Sequence, residues 1–481
     1  MNIANDDNYA LTANDIDTTA LCSAPDNLPA GFSWVRWTPM FRYAWDEITR
    51  GGHEIVTVLG QGGSGKSVLL EMVYSLSPAR TLVIAPTGIA AFRLIQDGIP
   101  ASTIHSAFGF RPQIWQDPSR IKTQALDVLM GVDTVLIDEI SMVDCNLLDA
   151  VLAQIRASER KTKRKIKTVF FGDIYQLPPV ASGQKDEATK DMWLETYGEG
   201  MMFFYSAIFR ESERINIELC DVHRQSSRIF RGILERIRLG QATLEDLRLL
   251  NRHVFSEKSF RETIGADGMM YLAGTNRLVD DLNDAYTSEF ALGDNDHRSY
   301  RAEIEGDATL QDFRMPSRTV SIYVGMSVMC LANESDGAGH MIYQNGTIGR
   351  VVRFNHSGLP VVAAADGREF TVQKHTFIKY SPEINENGKL KMVETGSVYQ
   401  IGCRPAYAVT FHKSQGLTLD AVYIDISQWT APGSVYLGLS RLRTEAGLGL
   451  KKPLRLRDIR LSPETEDFYD REIVSAPEES A

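Results

Sequence analysis

Gly60-Gln61-Gly62-Gly63-Ser64-Gly65-Lys66-Ser67 satisfies every fixed position of the pattern G-x-x-x-x-G-K-[ST]. Ile55-Val56-Thr57-Val58-Leu59 precedes it, a short β-branched run that reads as a buried strand. Val68-Leu69-Leu70-Glu71-Met72-Val73 follows it and reads as a helix. Strand, glycine loop and helix in this order constrain the chain to an α/β fold around a phosphate site. Glycines let backbone N–H groups converge on phosphate oxygens, and the helix N-terminus adds a positive dipole end. Lys66 brings a cation to the β- and γ-phosphates, and the Ser67 hydroxyl can ligate Mg²⁺. Gly60, Gly62, Gly63, Ser64, Gly65 and Val68 complete the expected nucleotide contacts.

The 481 residues suggest about three domains at ~150 residues each. Hydrophobic residues make up 43% and charged residues 23%, as in a globular protein. No run approaches the ~18 apolar residues of a membrane span. Met1-Asn2-Ile3-Ala4-Asn5-Asp6-Asp7 lacks a basic n-region and an apolar h-region, so no secretory signal is expected. Five scattered cysteines without a C-x-x-C pair argue for reduced thiols in a cytosol-like compartment and against a zinc site. The net charge of −11 is uneven. Residues 1–30 carry −5 and residues 462–481 carry −6, while the rest balances at 50 basic and 50 acidic residues. Both ends read as acidic disordered tails. A neutral body confines any nucleic-acid contact to a local groove.

Trp34, Trp37 and Trp45 lead into Asp46-Glu47-Ile48, consistent with a helix beside a bound base or with ordinary core aromatics. Thr81-Leu82-Val83-Ile84-Ala85 is a second buried strand. It runs into Pro86-Thr87-Gly88 and then Thr103-Ile104-His105-Ser106-Ala107-Phe108. Ligands bind at the carboxyl ends of strands in such sheets. Thr87, Thr103 and Ser106 can donate to phosphates there, and His105 and Phe108 can meet bases; loop and core roles are the plain alternative. Thr134-Val135-Leu136-Ile137 ends in Asp138-Glu139. Burying two carboxylates for structure alone is costly. Asp138 therefore reads as a Mg²⁺ ligand, mostly through water, and Glu139 as the residue that activates the attacking water. Residues 156–167 hold seven Lys/Arg, but they enter the strand Thr168–Phe171 at its amino end and read as a solvated loop. That strand leads to Gly172-Asp173-Ile174-Tyr175-Gln176-Leu177-Pro178-Pro179, where Gln176 can reach a γ-phosphate.

Arg214–Leu219 precedes His223-Arg224-Gln225, and residues 229–251 show one helical face with Leu234, Ile237, Leu244, Leu247 and Leu250. Met269–Ala273 opens a second α/β unit. Residues 301–400 are β-rich, with a hairpin signal at Asn345-Gly346, and read as a small inserted β-barrel. Tyr407-Ala408-Val409-Thr410 returns to a parallel strand, followed by Phe411-His412-Lys413-Ser414-Gln415-Gly416 and by Val435-Tyr436-Leu437-Gly438-Leu439-Ser440-Arg441.

The ordered set GQGGSGKS, APTGIAA, TIHSAFG, IDEISMVD, GDIYQLPPV, HRQ, TFHKSQG and VYLGLSRLR resembles superfamily 1B DNA helicases of the Pif/RecD-like group over residues 50–450. The resemblance implies two RecA-like motor domains. The first covers 31–210, with a small insertion at about 103–128. The second covers 211–300 and 401–461, and the barrel at 301–400 is inserted in it. It implies ATP and Mg²⁺ as cofactors, single-stranded DNA and its junctions with duplex as partners, and a cytoplasmic monomer. The activity it implies is ATP-driven 5′→3′ translocation with duplex unwinding. The alternatives are a translocase that remodels nucleoprotein without processive unwinding and an ATP-gated DNA clamp.

By the same resemblance Lys66, Glu139, Gln176, Arg224 and Arg441 are catalytic, the two arginines reaching in from the second domain. Gln415 and Gly416 join the nucleotide contacts. Pro86, Thr87, Thr103, His105, Ser106, Phe108, Thr410, His412, Lys413 and Ser414 lie on the DNA path. Two features depart from the pattern. Phe41 stands where many members carry an adenine-selecting glutamine, which leaves base selectivity open. The longer signature of eukaryotic members before Gly172 is replaced by the short basic run, which favours a bacterial or phage-type protein.

Overall fold

The computed structural model describes residues 22–474, apart from 111–114, 180–186, 221–226, 257–268, 294–295, 314, 316, 337–340, 344–346, 365–366, 385–389, 416, 418 and 428–429. Arg224, Gly416 and the Asn345-Gly346 turn therefore lie outside the described residues, as do the side chains of His412 and Lys413.

Two parallel sheets carry the architecture. The first has seven strands in the order 473–474, 214–218, 55–59, 167–172, 134–137, 81–85 and 102–103. Ile55–Leu59 is buried at all five positions because it pairs on both sides, with Lys167–Gly172 and Arg214–Glu218. A parallel strand covered on both faces shows no polar alternation, and Thr57 is the one polar residue in the run. The second sheet has four parallel strands in the order 408–410, 270–273, 422–424 and 448–450. Among the described residues no helix is long and apolar enough to cross a membrane.

The β-rich region contains a five-stranded antiparallel sheet, ordered 369–371, 360–364, 348–354, 327–330 and 403–405. A three-stranded sheet of 374–384, 390–401 and 303–306 stands beside it. Among the described residues the hydrogen-bonded order leaves 369–371 and 403–405 as edges, so the strands there form open sheets and not the expected closed barrel.

Four expectations change. Arg214–Glu218 was expected to belong to the second domain, but it is the neighbour of the glycine-loop strand in the first sheet. The acidic C-terminal stretch forms a helix, Pro463–Glu472, and Ile473–Val474 pairs with Asn216–Ile217 at the edge of that sheet. Phe468 anchors it by stacking on Phe204 at 4.3 Å with an 8° interplanar angle. A charge average conceals one aromatic anchor inside an acidic run. Residues 229–251 form two helices, Arg228–Arg238 and Leu244–Asn251. Gly240 at φ +69° breaks the first, and a Thr243–Asp246 capping box starts the second, leaving Leu244 65% exposed. The basic run at 156–167 is not a solvated loop. Its first half completes the helix Cys145–Thr162, Arg164 pairs with Asp133, and the Lys167 ammonium donates to the carbonyls of Glu47, Gly51 and His53.

Candidate active site

The glycine loop leaves the middle of the first sheet. Gly63 and Gly65 both have φ of +94°, a region that side-chain-bearing residues rarely adopt. Gly65 is the N-cap of the helix Lys66–Leu76, and a Cβ there would also stand 3.0 Å from the Phe41 ring. The loop and helix start, Gly62 to Val68, line a cavity of about 490 Å³. Phe41, Asp138, Glu139, Asp173, Gln176 and Arg441 line the same cavity, so groups from both sheets converge on it.

The Lys66 ammonium folds back onto the loop, donating to the carbonyls of Gly60 at 2.5 Å and Gln61 at 2.9 Å. Burial pushes its pKa down to about 8, against the opposing pull of Asp173 and Glu139. Asp138 continues the buried strand, its N–H donating to the Ile84 carbonyl. Burial raises its pKa, and the Arg93 guanidinium opposes that rise. Glu139 adopts φ +51°, a left-handed conformation that costs a non-glycine residue roughly 1–3 kcal/mol. That strain turns its carboxylate back toward the cavity and its two flanking partners. Arg93 lies 3.5 Å from Oε1, and the Gln415 amide donates to Oε2 at 2.9 Å.

The second domain touches the first at two further points. Tyr436 donates its hydroxyl to Asp173 Oδ2 at 2.8 Å, and Gln176 Nε2 donates to the same oxygen at 3.0 Å. Gly433, at φ +77°, brings the start of the helix Ser434–Ser440 against the Tyr175 and Gln176 carbonyls; a Cβ would stand 2.6 Å from each. Beneath Asp173 the buried Arg238 bonds Glu218, lies 3.5 Å from Asp173 and stacks 4.6 Å over the Tyr175 ring. Burial works against its charge, and Glu218 and Asp173 hold it protonated. Replacing Tyr436 by Phe is expected to remove about 1.5–3 kcal/mol, the worth of a hydrogen bond to a charged acceptor. Urea denaturation checks this, with a lower midpoint and an unchanged slope as the expected result.

Arg441 is 2% exposed and caps the cavity from the second domain. Its guanidinium bonds the carbonyls of Leu437 and Leu417 and the Ser440 hydroxyl. Gln176 Oε1 and Gln415 Oε1 are buried without a partner, as acceptors awaiting a water would be. Ser67 and Asp138 line one cavity, and a hydroxyl with a carboxylate is the hard-oxygen donor set that Mg²⁺ prefers. The residues present therefore fit that ion.

Outside the cavity lining, Thr87 caps the helix Gly88–Gln96 by accepting from the Ala90 N–H, and Thr103 caps Ile104–Phe108 by accepting from the Ser106 N–H. Both threonines sit at carboxyl ends of parallel strands, and Pro86, His105 and Ser106 are half-buried beside them. Burial lowers the His105 pKa. Two expected DNA contacts are corrected. Phe108 is fully buried and packs on Phe110 at 5.7 Å, because its one-turn helix directs it into the core. Ser414 is also fully buried and donates to the Phe411 carbonyl, a helical back-bond that uses up its hydroxyl. Thr410 is buried at 4% exposure.

Sequence reading missed Arg93, Asp173, Arg238, Gly433 and Tyr436. Arg93 enters the site because strands 81–85 and 134–137 are parallel neighbours, an order that no run of the sequence states.

Two parallel-sheet units closing on one glycine-loop cavity, each supplying charged groups to it, define a two-domain RecA-like P-loop protein. Known proteins agree. The profile of a family described as an AAA domain matches residues 41–193. The chain is 29% identical to the ATP-dependent DNA helicase Pif1 of Bdellovibrio bacteriovorus over 439 residues, covering 88% of this chain and 89% of that protein. It is 30% identical to the ATP-dependent DNA helicase PIF1 of Danio rerio over 410 residues. That match covers 81% of this chain, which spans only 57% of the length of the zebrafish protein. The crystal structure of Bacteroides sp Pif1 in complex with ADP-AlF4 superposes with a TM-score of 0.75 at 27% identity, covering 90% of this chain and 97% of that one. The Bacteroides Pif1 structure bound to ssDNA gives a TM-score of 0.60 at 26% identity, with coverage of 90% and 96%. Over most of its length the chain is thus similar to Pif1 helicases, in sequence and in fold.

Proposed function

We propose that this protein is an ATP-dependent DNA helicase that moves 5′→3′ along single-stranded DNA and separates duplex ahead of it. The observation that carries the reading is the shared cavity: Lys66, Glu139 and Gln176 come from the first domain, while Arg441 and the Glu139-bound Gln415 come from the second. A site divided in this way is complete only when the domains close, so each hydrolytic cycle is also a mechanical one. The 5′→3′ direction rests on the family resemblance.

In this reading Lys66 leaves the Gly60 and Gln61 carbonyls for the β- and γ-phosphates of ATP. Mg²⁺, held by Ser67 and Asp138, would supply charge neutralisation at the phosphate oxygens. Gln176 and Gln415 accept from the attacking water through their unpartnered amide oxygens, and Glu139 takes its proton. Arg441 meets the charge that develops on the transferring phosphoryl. Phe41 offers the base a ring face rather than an amide. Thr87 and Thr103 face the DNA backbone with hydroxyl and helix-end N–H groups, which read phosphate rather than sequence.

The test pairs ATP hydrolysis, with and without single-stranded DNA, with unwinding of duplexes bearing a 5′ or a 3′ tail. DNA stimulation of hydrolysis with unwinding from the 5′ tail alone is expected. A hydrolysis rate indifferent to DNA would overturn the proposal, and stimulation without strand separation would leave a translocase.

A further inference from the structure

Arg93 lines the cavity and has no role in the reading above. It lies in the helix Gly88–Gln96, and its side chain reaches both acidic residues at the end of the strand Thr134–Ile137. Nη2 lies 2.6 Å from Asp138 Oδ2, and Nη1 lies 3.5 Å from Glu139 Oε1. Asp138 is 6% exposed and the Arg93 side chain 27%, so a half-buried arginine reaches a buried carboxylate. Arg93 lines the same cavity as Ser67 and Lys66. Lys66 is meanwhile turned onto backbone carbonyls. Lys66 and Arg93 are thus both held on protein acceptors, and the arginine occupies the carboxylate that a divalent ion would need.

We propose that Arg93 is a positioning residue that competes with the metal: its guanidinium holds the Asp138–Glu139 pair in the nucleotide-free protein and must swing away when Mg²⁺-nucleotide enters. This rests on the reading of the cavity as a Mg²⁺-nucleotide site. Two adjacent buried carboxylates need a counter-cation at all times, since each raises the other's cost of ionisation. A guanidinium supplied in cis offers the pair a counter-charge and keeps it aimed while the site is open. A closed pair that outweighs its open form tenfold lowers apparent metal affinity by about the same factor. The helix that carries Arg93 begins at Thr87, on the path assigned to DNA, so the pair is also placed to respond to what that path holds.

The experiment is binding of a fluorescent ADP analogue to the full chain as Mg²⁺ is titrated from an EDTA baseline, for the natural protein, Arg93→Gln and Arg93→Lys. Turnover is not involved. The half-saturating Mg²⁺ concentration is expected to fall about tenfold in Arg93→Gln. Arg93→Lys, with a shorter reach and retained charge, is expected to fall between the two. Thermal melting in EDTA confirms folding and is expected to show a lower midpoint for Arg93→Gln, with a larger upward shift on adding Mg²⁺-ADP. An unchanged or higher Mg²⁺ requirement in both variants would overturn the proposal and make Arg93 a scaffold for the carboxylates. If the natural protein binds no nucleotide at any Mg²⁺ concentration, the nucleotide-site reading fails instead.

Discussion

Arg441→Ala is expected to lower the rate of ATP hydrolysis by roughly 10³–10⁵ while leaving nucleotide affinity within a few-fold. The argument is geometric. Arg441 belongs to the second domain, is 2% exposed, and lines the cavity built on the glycine loop of the first. Its guanidinium is anchored by the Leu437 and Leu417 carbonyls and the Ser440 hydroxyl, so it arrives at the phosphates already oriented. An oriented charge stabilises the transferring phosphoryl more than the ground state, so its loss falls on kcat rather than on binding. Because the residue is buried, Arg441→Lys serves as the control. It keeps a charge and most of the packing but loses the planar fork, and an intermediate rate is expected. Steady-state hydrolysis and fluorescent-nucleotide binding, measured on the same preparations, decide the matter. Affinity lost in proportion to rate would remove the assignment.

Glu139→Gln is expected to cut hydrolysis by roughly 10²–10⁴, the usual worth of a general base, with nucleotide still bound. The substitution keeps shape and removes only the capacity to take a proton. The backbone φ of +51° and the Gln415 amide hold the side chain in place in either form. A single-turnover measurement with bound ATP isolates the chemical step. If it retains a rate within tenfold of the natural protein, the proton goes elsewhere, and Asp138 becomes the next residue to replace.

Much of this site was readable before any coordinates. The glycine loop, Lys66, Ser67, Asp138, Glu139 and Gln176 were identified from short runs because each run carries its own geometry. Gly63 and Gly65 permit the positive φ that the loop needs. A β-branched strand ending in two acids says which end faces the ligand. Averages failed where one residue outweighed many. By charge the acidic C-terminal stretch reads as a disordered tail, yet Phe468 and the Ile473–Val474 pairing fix residues 463–474 to the first sheet. Periodicity failed where one residue reset the phase, as Gly240 does between the helices Arg228–Arg238 and Leu244–Asn251. Hydroxyl residues near a motif were over-assigned. Ser414 satisfies its own helix, and only its zero exposure reveals that.

The glycine-loop backbone and the α/β character follow from local sequence, because a run of eight residues sets its own backbone dihedrals. The coupling between domains was settled by tertiary structure alone. Arg93 meets Asp138 across 45 residues, Tyr436 meets Asp173 across 263, and Gln415 meets Glu139 across 276. No local preference can encode such meetings. They depend on where whole sheets and helices come to rest, and that is decided by apolar surface buried at many positions at once. The polar contacts that make this a two-domain site form only after that packing has placed them within reach.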